Sequence, residues 1–346
     1  MYDVLVIGAG PAGSTAAKTL AEKGYRVLLV EKFRIPRNKS CSGILIQKSM
    51  DFLQRHFGEA VPEAALCAPA VNRGMVFTGC DGKEYRFEQE GRNIWRSSFD
   101  GWLAGKAQES GARLQHPAMV LRLEERPEEV EAALRGERLY TERARYVLDC
   151  EGAAGRLGQK KGDGPLERIT TFQTFNRGSI GLDPHYFYAY LQPELSEYDA
   201  WFNVKDGQLV LGVSGKDPRR LPGYYARFLA YMQRHGLQIT ETLRFERWLM
   251  PWIRPGCAVR CGEGRTLYAG EAAGFLNPMG EGISSAMESG YQAACAISGQ
   301  FASPERVLED YRNRVQPLRG YMLRQWSLVA GLAETFREMR IQENPR

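Results

Sequence analysis

The sequence lacks any hydrophobic run long enough to cross a bilayer, which takes about 18 apolar residues. None occurs among its 346 residues, of which 43% are hydrophobic and 25% charged, as in ordinary globular proteins. The first residues, Met1-Tyr2-Asp3, lead directly into an apolar segment without the basic stretch that opens a signal peptide. We therefore expect a cytoplasmic protein, with peripheral contact at a membrane as an open alternative.

Histidine is scarce and cysteine is scattered, which excludes the commonest metal sites. Among seven cysteines only Cys257 and Cys261 lie close together, and two ligands do not make a zinc site. The odd number of cysteines favours free thiols over a disulfide framework. The net charge of +5 is a mild excess that does not require nucleic acid. The sequence therefore predicts neither a bound metal nor a nucleic-acid partner.

The N-terminal segment has the pattern of one βαβ unit. Residues 4–7 form a short apolar run, mostly β-branched, that ends at Gly8 and is typical of a buried parallel strand. Residues 12–23 are rich in Ala, Leu, Lys and Glu and predict a helix, which Gly24 ends. A second strand is predicted over 25–30. The length matches a βαβ unit.

A glycine-rich turn lies between the first strand and the helix, and it reads Gly8-Ala9-Gly10-Pro11-Ala12-Gly13. In such a turn Gly8 makes the tight bend, Gly10 lets the backbone approach a pyrophosphate, and Gly13 lets helix and strand pack closely. The helix start offers free amides and a positive dipole end to the phosphates. Glu31, at the end of the second strand, is placed to accept hydrogen bonds from the adenosine ribose hydroxyls.

A second glycine-rich loop over 270–283 lies between a predicted strand at 266–269 and a predicted helix at 283–298. It contains Gly270, Gly274 and the acid Glu271, which can accept hydrogen bonds from the ribityl hydroxyls of a flavin. The helix start at Gly282 and Ile283 can point its amides at the N1–C2=O edge of the isoalloxazine, where a positive dipole end stabilises reduced, anionic flavin. Two such loops favour FAD over NAD as the cofactor.

The predicted fold class is α/β: a Rossmann-type FAD-binding domain with an antiparallel β-sheet substrate domain that caps the flavin. Strands at 74–77 and 84–87 flank a turn at 79–82, a helix covers 99–110, and three short strands lie within 112–148. The aromatic-rich stretch from 165 to 255 predicts the substrate sheet. The predicted boundaries are 1–72, 95–164 and 256–303 for the FAD-binding domain, 73–94 and 165–255 for the substrate domain, and 304–346 for a C-terminal helical tail.

The C-terminal tail, predicted to be helical from 304 to 340, has two interpretations. Its arginines surround apolar side chains, so it can lie on a membrane surface or pack its apolar stripe on its own domain. The arginines are Arg312, Arg314, Arg319, Arg324, Arg337 and Arg340, and the apolar residues are Leu318, Met322, Trp326 and Leu328.

Four segments resemble the geranylgeranyl reductase family within the p-hydroxybenzoate hydroxylase-like flavoproteins. They are 8–13 together with Glu31, the segments 36–43 and 96–103, and the loop 270–286. The resemblance implies that Arg96 contacts the FAD and that Cys41-Ser42-Gly43 lies beside the flavin ring. Lys32, Arg37 and Val120 complete the residues that we expect to bind the cofactor. The family's Gly-Asp appears here as Gly270-Glu271, and its Tyr-x-Trp-x-Phe-Pro substrate motif is not intact; the nearest stretch is 198–205.

Three residues are candidates for the chemistry itself, and each has an alternative role. Cys41 is a proton donor beside the flavin N5 or a small residue that fits a tight loop. Trp201 and Lys205 line the face above the ring, or they are a core aromatic and a solvated lysine. Arg37 and Lys39, which flank the Cys41 loop, hold a phosphate or carboxylate or are solvated.

The predicted reaction is hydride transfer from reduced FAD to an unsaturated, lipid-like or hydrophobic small molecule, with Cys41 supplying the proton. Because the chain has one dinucleotide fingerprint, either NADPH or NADH docks transiently as the reductant or another reductant, such as a protein, serves. Two alternatives stay open. One is a monooxygenase that hydroxylates an aromatic side chain or a peptide side chain of a substrate protein. The other is a flavin-bound maturation protein.

Overall fold

The computed structural model describes residues 1–155, 157, 167–252, 256–278 and 280–332, and of 328–332 the backbone alone. Residues 158–164, the end of the predicted FAD-binding segment 95–164, lie outside the described residues. So does the tail beyond 332, with Arg337 and Arg340. Two compact units are present: Met1–Asn38, Ser97–Glu167 and Gly256–Gln325 form the first, and Lys39–Arg96, Arg168–Pro255 and the chain from Trp326 form the second.

Over the described residues the chain forms sixteen strands and seven α-helices. The strands are β1 (Tyr2–Ile7), β2 (Val27–Val30), β3 (Ile44–Ile46), β4 (Leu66–Thr78), β5 (Glu84–Ile94), β6 (Arg113–Gln115), β7 (Met119–Glu125), β8 (Val130–Arg135), β9 (Leu139–Asp149), β10 (Arg168–Ser179), β11 (Tyr186–Tyr190), β12 (Ala200–Lys205), β13 (Gln208–Gly215), β14 (Gln238–Pro251), β15 (Gly262–Glu263) and β16 (Thr266–Tyr268). The helices are α1 (Pro11–Glu22), α2 (Gln47–Phe57), α3 (Arg96–Glu109), α4 (Leu221–Arg234), α5 (Ile283–Gly299), α6 (Pro304–Arg314) and α7 (Gln316–Leu332).

The first unit contains a Rossmann-type sheet, as the sequence predicted. Its order is β15-β16-β9-β1-β2-β6, and β1 pairs in parallel with both β2 and β9. Val4, Val6 and Leu28 are buried, because a parallel sheet is covered on both faces. β7 and β8 extend β9 as an antiparallel arm. The prediction of three strands within 112–148 was wrong, since β6 to β9 make four; β6 has only three residues and little apolar pattern.

Helices α1 and α5 pack closely in the first unit because small residues face each other. A Cβ atom added to Gly290 would overlap the backbone oxygen of Ala12, and one added to Gly270 would lie 3.1 Å from the Cβ of Ala12. The two glycine-rich segments are therefore brought to the same region through their own helices.

The second unit contains the other sheet, ordered β14-β10-β13-β12-β11-β4-β5-β3. Its pairs are antiparallel except for β11 and β4, which run parallel, a departure from the predicted wholly antiparallel sheet. The parallel pair arises because residues 79–185 separate the two strands and no hairpin can join them. Helix α4 covers one face, where Phe202, Phe228 and Tyr190 share an aromatic-rich core.

The compact units divide the chain at other points than the sequence-based boundaries. Residues 39–72 belong to the second unit, whereas the sequence interpretation gave them to the FAD-binding domain, and residues 304–325 belong to the first. In α7, Leu318 and Met322 are buried, in line with the interpretation that the tail packs its apolar stripe on its own domain. Among the described helices, none is both long and apolar enough to span a membrane.

Candidate active site

The first glycine turn is fixed by backbone contacts that exclude any larger residue. Gly8 has a φ of +97°, and a Cβ there would lie 2.5 Å from the carbonyl oxygen of Cys150. A Cβ on Gly13 would overlap the carbonyl oxygen of Gly8. The glycines therefore allow the backbones of β1, β9 and α1 to pack in direct contact, as the sequence predicted for Gly8 and Gly13.

The start of α1 has the properties of a phosphate site. Gly10 is its N-cap and offers no side chain, Pro11 opens the helix, and the first turn contains no acidic residue. The amides of Ala12 and Gly13 precede the first intrahelical bonds, so they are free to meet an anion. A Cβ on Gly10 would meet one group within 4 Å, the Nη2 atom of Arg37 at 3.2 Å. These features suit a diphosphate.

Glu31 lies at the centre of a buried polar cluster beside this turn. Its Oε2 accepts a hydrogen bond from the Ala9 amide at 3.0 Å, and its Oε1 accepts one from the Phe33 amide at 3.0 Å. Arg37 forms ion pairs with Glu31 at 3.2 Å and with Asp100 at 3.2 Å. The side chains of Glu31 and Asp100 are 4% and 2% exposed, and that of Arg37 is 11% exposed. Arg37 is therefore buried in an ion-pair cluster, and the alternative that it is solvated was wrong.

Asp100 is a site residue that the sequence reasoning missed. It lies in the first turns of α3 and pairs with the Nη2 atom of Arg37, whereas Glu31 pairs with Nε. The signal was present, because Asp100 belongs to the segment 96–103 that carries the family resemblance. Of the other predicted cofactor residues, Lys32 places its Nζ 5.2 Å from the Phe33 ring centre, and the Val120 side chain is buried in the core beneath the sheet.

The second glycine loop places an acid against the start of α5. Gly270, with a φ of +61°, opens a short 3-10 turn that continues through Glu271 to Gly274. The Oε2 of Glu271 accepts a hydrogen bond from the Ala153 amide at 3.3 Å, and its Oε1 lies 3.7 Å from the Cβ position of Gly282. The predicted residues Glu271, Gly282 and Ile283 therefore lie together.

Glu281 is a second missed residue, and it changes the expected electrostatics of this helix start. Its Oε1 accepts a hydrogen bond from the Ser284 amide at 2.7 Å, and its Oε2 accepts one from the Ser284 hydroxyl at 2.6 Å. Asn277 also donates to it at 3.2 Å. A carboxylate thus already offsets part of the positive dipole end that the sequence analysis assigned to a reduced flavin. A glutamate just before a predicted helix was the available signal.

In the second unit, the Cys41-Ser42-Gly43 loop is tied to neighbouring strands. The Gly43 amide donates to the Cys41 Sγ at 3.3 Å, and the Ile94 amide donates to the Gly43 carbonyl at 2.7 Å. Asn203 on β12 donates to the Ser42 carbonyl at 3.3 Å. Gly43 has a φ of +70°, which favours glycine. The loop is therefore held on both sides.

Lys205 and Trp201, both on β12, are buried. Lys205 is 1% exposed, donates from Nζ to the Ile94 carbonyl at 2.8 Å, and lies against Gly43. The alternative interpretation, a solvated lysine, was therefore wrong. Burial lowers the pKa of its ammonium. The Trp201 ring fills the space beside Gly212, and its buried Nε1 has no hydrogen-bond partner among the described residues.

Arg96, the first residue of α3, is also buried, at 5% exposure, and its charge acts on Lys205. The groups described above can bind a diphosphate at α1, hold hydroxyls at Glu31 and Glu271, and present a thiol in a braced loop. No set of three or more metal-ligating side chains occurs among the residues that the structure describes.

Comparison with known proteins agrees with this chemistry. A family model described as FAD binding domain matches residues 1–183, more than half of the chain. The digeranylgeranylglycerophospholipid reductase of Methanosarcina acetivorans is 28% identical over 93% of this chain and 82% of its own length. Digeranylgeranylglycerophospholipid reductase 1 of Methanopyrus kandleri is 30% identical over 64% of this chain, and this match covers 60% of that reductase.

Solved structures share the fold. A geranylgeranyl bacteriochlorophyll reductase-like protein from Thermoplasma acidophilum superposes with a TM-score of 0.82 at 22% identity, covering 96% of this chain and 87% of that one. The flavin-dependent brominase Bmp2 gives a TM-score of 0.74 at 21% identity, covering 98% and 93%. The chain therefore belongs to the FAD-binding domain family and is an FAD-dependent oxidoreductase that resembles the geranylgeranyl reductases.

Proposed function

We propose that this oxidoreductase reduces a carbon–carbon double bond of a lipid-like substrate. The observation that carries the proposal is the likeness to digeranylgeranylglycerophospholipid reductases, which extends along nearly the whole chain and is not confined to the cofactor turn. FAD, when bound and reduced, supplies the hydride. NADPH or NADH, docking transiently, is the proposed reductant, because the sequence has a single dinucleotide fingerprint.

The cofactor-binding roles follow from the first unit. The amides of Ala12 and Gly13 meet the phosphates, and Arg37 adds a cation close to Gly10. Glu31 keeps acceptor capacity for a ribose hydroxyl, because a carboxylate has about four acceptor positions. Glu271 is held by the Ala153 amide and can accept from the ribityl chain. These residues bind and orient the cofactor.

Cys41 is the proposed proton donor. Hydride addition leaves a carbanion-like carbon, so an acid placed at the neighbouring carbon accelerates the reaction by about a hundredfold or more. The Gly43 amide donates to Sγ and so fixes the thiol's orientation. Ser42 and Gly43 hold the loop, and Arg96 is proposed to contact the cofactor. Trp201 is proposed to line the substrate site, where its Nε1 needs a polar partner.

A single-turnover experiment tests the proposal. FAD-loaded protein is reduced without oxygen and mixed with an archaeal phospholipid that carries unsaturated geranylgeranyl chains. We expect the absorbance of oxidised flavin to return and the lipid to gain two hydrogen atoms per reduced double bond in mass spectrometry. The same lipid with saturated chains is the control and should leave the flavin reduced. Reduced flavin that is stable towards the unsaturated lipid would refute the assignment.

Oxygen distinguishes the main alternative. The fold is shared with a brominase, so the reduced protein is also exposed to air with aromatic compounds. Substrate-dependent oxygen consumption with product hydroxylation would identify a monooxygenase. A flavin that no reductant reduces would instead favour a maturation protein with little turnover.

A further inference from the structure

A buried lysine lies directly beneath the loop that carries Cys41. The Lys205 ammonium occupies the space where a side chain on Gly43 would begin, and Gly43 in turn donates its amide hydrogen to Cys41 Sγ at 3.3 Å. The amine is held by the Ile94 carbonyl at 2.8 Å and lies 4.6 Å from the centre of the Trp95 ring. The Lys205 amine and the Cys41 thiol thus both lie next to Gly43.

Lys205 has no carboxylate within ion-pair distance among the described residues. The charged and titratable groups that act on it are Cys41 in the loop, Cys67 on β4, Glu246 on β14 and Arg96 at the start of α3. Glu246 is held by Gln173, and the nearby Asp206 is held by Trp95 and the Ala68 amide. A buried ammonium without a carboxylate partner is costly, and shifted groups of this kind are concentrated at functional sites.

Of the two thiols near Lys205, Cys41 is the one suited to exchange protons. Cys67 is 3% exposed, and burial raises its pKa to about 11, so it stays a thiol at neutral pH. Cys41 is half-buried and therefore reachable from outside the unit's core.

We propose that Lys205 is the proton partner of Cys41, stabilising the thiolate that remains after proton donation and then reprotonating it. This inference rests on the role of Cys41 in the proposed function. Cys41 breaks its S–H bond as the substrate C–H bond forms, which leaves a thiolate beside the Lys205 ammonium. An N–H bond of Lys205 then breaks as the S–H bond re-forms, and the neutral amine regains its proton from solvent by way of the half-buried Cys41 thiol. These proton transfers change no oxidation state.

The burial of Lys205 suits the second transfer. Because burial lowers the pKa of the ammonium, it gives up its proton to a thiolate more readily than a solvated lysine does. The face of the Trp95 ring stabilises the charged form between turnovers.

The test measures alkylation of Cys41 against pH, resolved by peptide mass spectrometry, in FAD-loaded protein without substrate. In Lys205→Met the rate at neutral pH should fall severalfold, because the variant removes the positive charge that stabilises the thiolate. Lys205→Arg, which keeps the charge, should retain most of the rate. Lys216→Met, which removes an exposed cation of the same unit, is the control and should change the rate little.

If Lys205→Met fails to fold, a second measurement on the parent protein tests the proposal. Cys80 is an exposed thiol on the turn between β4 and β5, and in the parent Cys41 should be alkylated faster than Cys80 at neutral pH although Cys41 is the more buried of the two. Equal Cys41 rates for parent and Lys205→Met, or a Cys41 rate in the parent that does not exceed the Cys80 rate, would overturn the role of Lys205. Since no substrate is present, a failure of lipid reduction leaves this result unaffected, and the reverse also holds.

Discussion

The two units of the molecule treat their buried charges differently. In the first, Arg37 forms ion pairs with both Glu31 and Asp100, so each of these three buried charges has an opposite partner. In the second, Lys205 is held by a carbonyl oxygen and a ring, and Asp199 is held by the hydroxyl of Ser214 at 3.2 Å. Neither of these two has an oppositely charged partner among the described residues.

The difference separates two uses of buried charge. A paired charge is stabilised by its partner and fixes geometry, which suits a cluster beside a phosphate turn. An unpaired one has its proton equilibrium moved by burial, so that the pKa of Asp199 rises to about 6 and that of Lys205 falls. Shifted groups of this kind are concentrated at sites of proton transfer. The ion-paired cluster beside the turn therefore fixes geometry, whereas Asp199 and Lys205 have the shifted proton equilibria that proton transfer requires.

The largest effect should come from breaking the paired cluster. Arg37→Met removes the cation that pairs with two buried carboxylates, which should lower the free energy of unfolding by about 3–5 kcal/mol and abolish FAD retention. Urea denaturation and the flavin content of the purified protein measure both. Arg26→Met, which removes an exposed ion pair with Asp3, is the control and should leave both values almost unchanged. A similar loss in both variants would mean that burial of the pair is unimportant.

The sequence predicted those parts of the site that depend on local pattern. The strand, the turn with Gly8 and Gly13, the helix and Glu31 follow one another within 31 residues, so the Rossmann unit was evident. Arg37 and Asp100 are 63 positions apart, and no periodicity indicates that their side chains meet. The second loop shows the same limit, because its glycines were recognised whereas the capping role of Glu281 requires the folded geometry.

The burial of Lys205 was unpredictable for a related reason. On β12 every residue is buried, so the alternation that marks an exposed face is missing and the lysine at its end appears solvated from sequence alone. The parallel pairing of β4 with β11 likewise depends on strands that are distant in sequence.

A smaller effect is expected from Asp199, and it depends on pH. The pKa of Asp199 in the folded protein, about 6, lies above its ordinary value of 3.8, so the folded state holds the proton more tightly between these two values. The stability that this protonated carboxyl group contributes below about pH 4 is therefore lost as the pH rises through about 6, by roughly 3 kcal/mol. We expect the free energy of unfolding of the parent, measured by urea denaturation, to fall between about pH 4 and pH 6, and this fall should be smaller in Asp199→Asn. An equal fall in both proteins would mean that other carboxylates cause it.

The smallest effect should come from Lys205→Met, and it sharpens the contrast with Arg37. The substitution removes an unpaired buried charge, which is favourable, but it leaves the Ile94 carbonyl without its donor and loses the contact with the Trp95 ring, which cost about 1–3 and about 0.5–2 kcal/mol. Because these contributions oppose one another, the free energy of unfolding at neutral pH should change by no more than about 1 kcal/mol.

The same variant should change the pH dependence of stability in a defined direction. In the parent the pKa of Lys205 is lower in the folded state than in the unfolded chain, where it is near 10.5, so the unfolded state binds more protons in this window. The parent should therefore gain stability as the pH rises towards about 10, and Lys205→Met should lack this gain. Urea denaturation at neutral and alkaline pH measures the difference. A neutral-pH loss as large as that of Arg37→Met would show that Lys205 is held like a paired charge, and the distinction between the units would then fail.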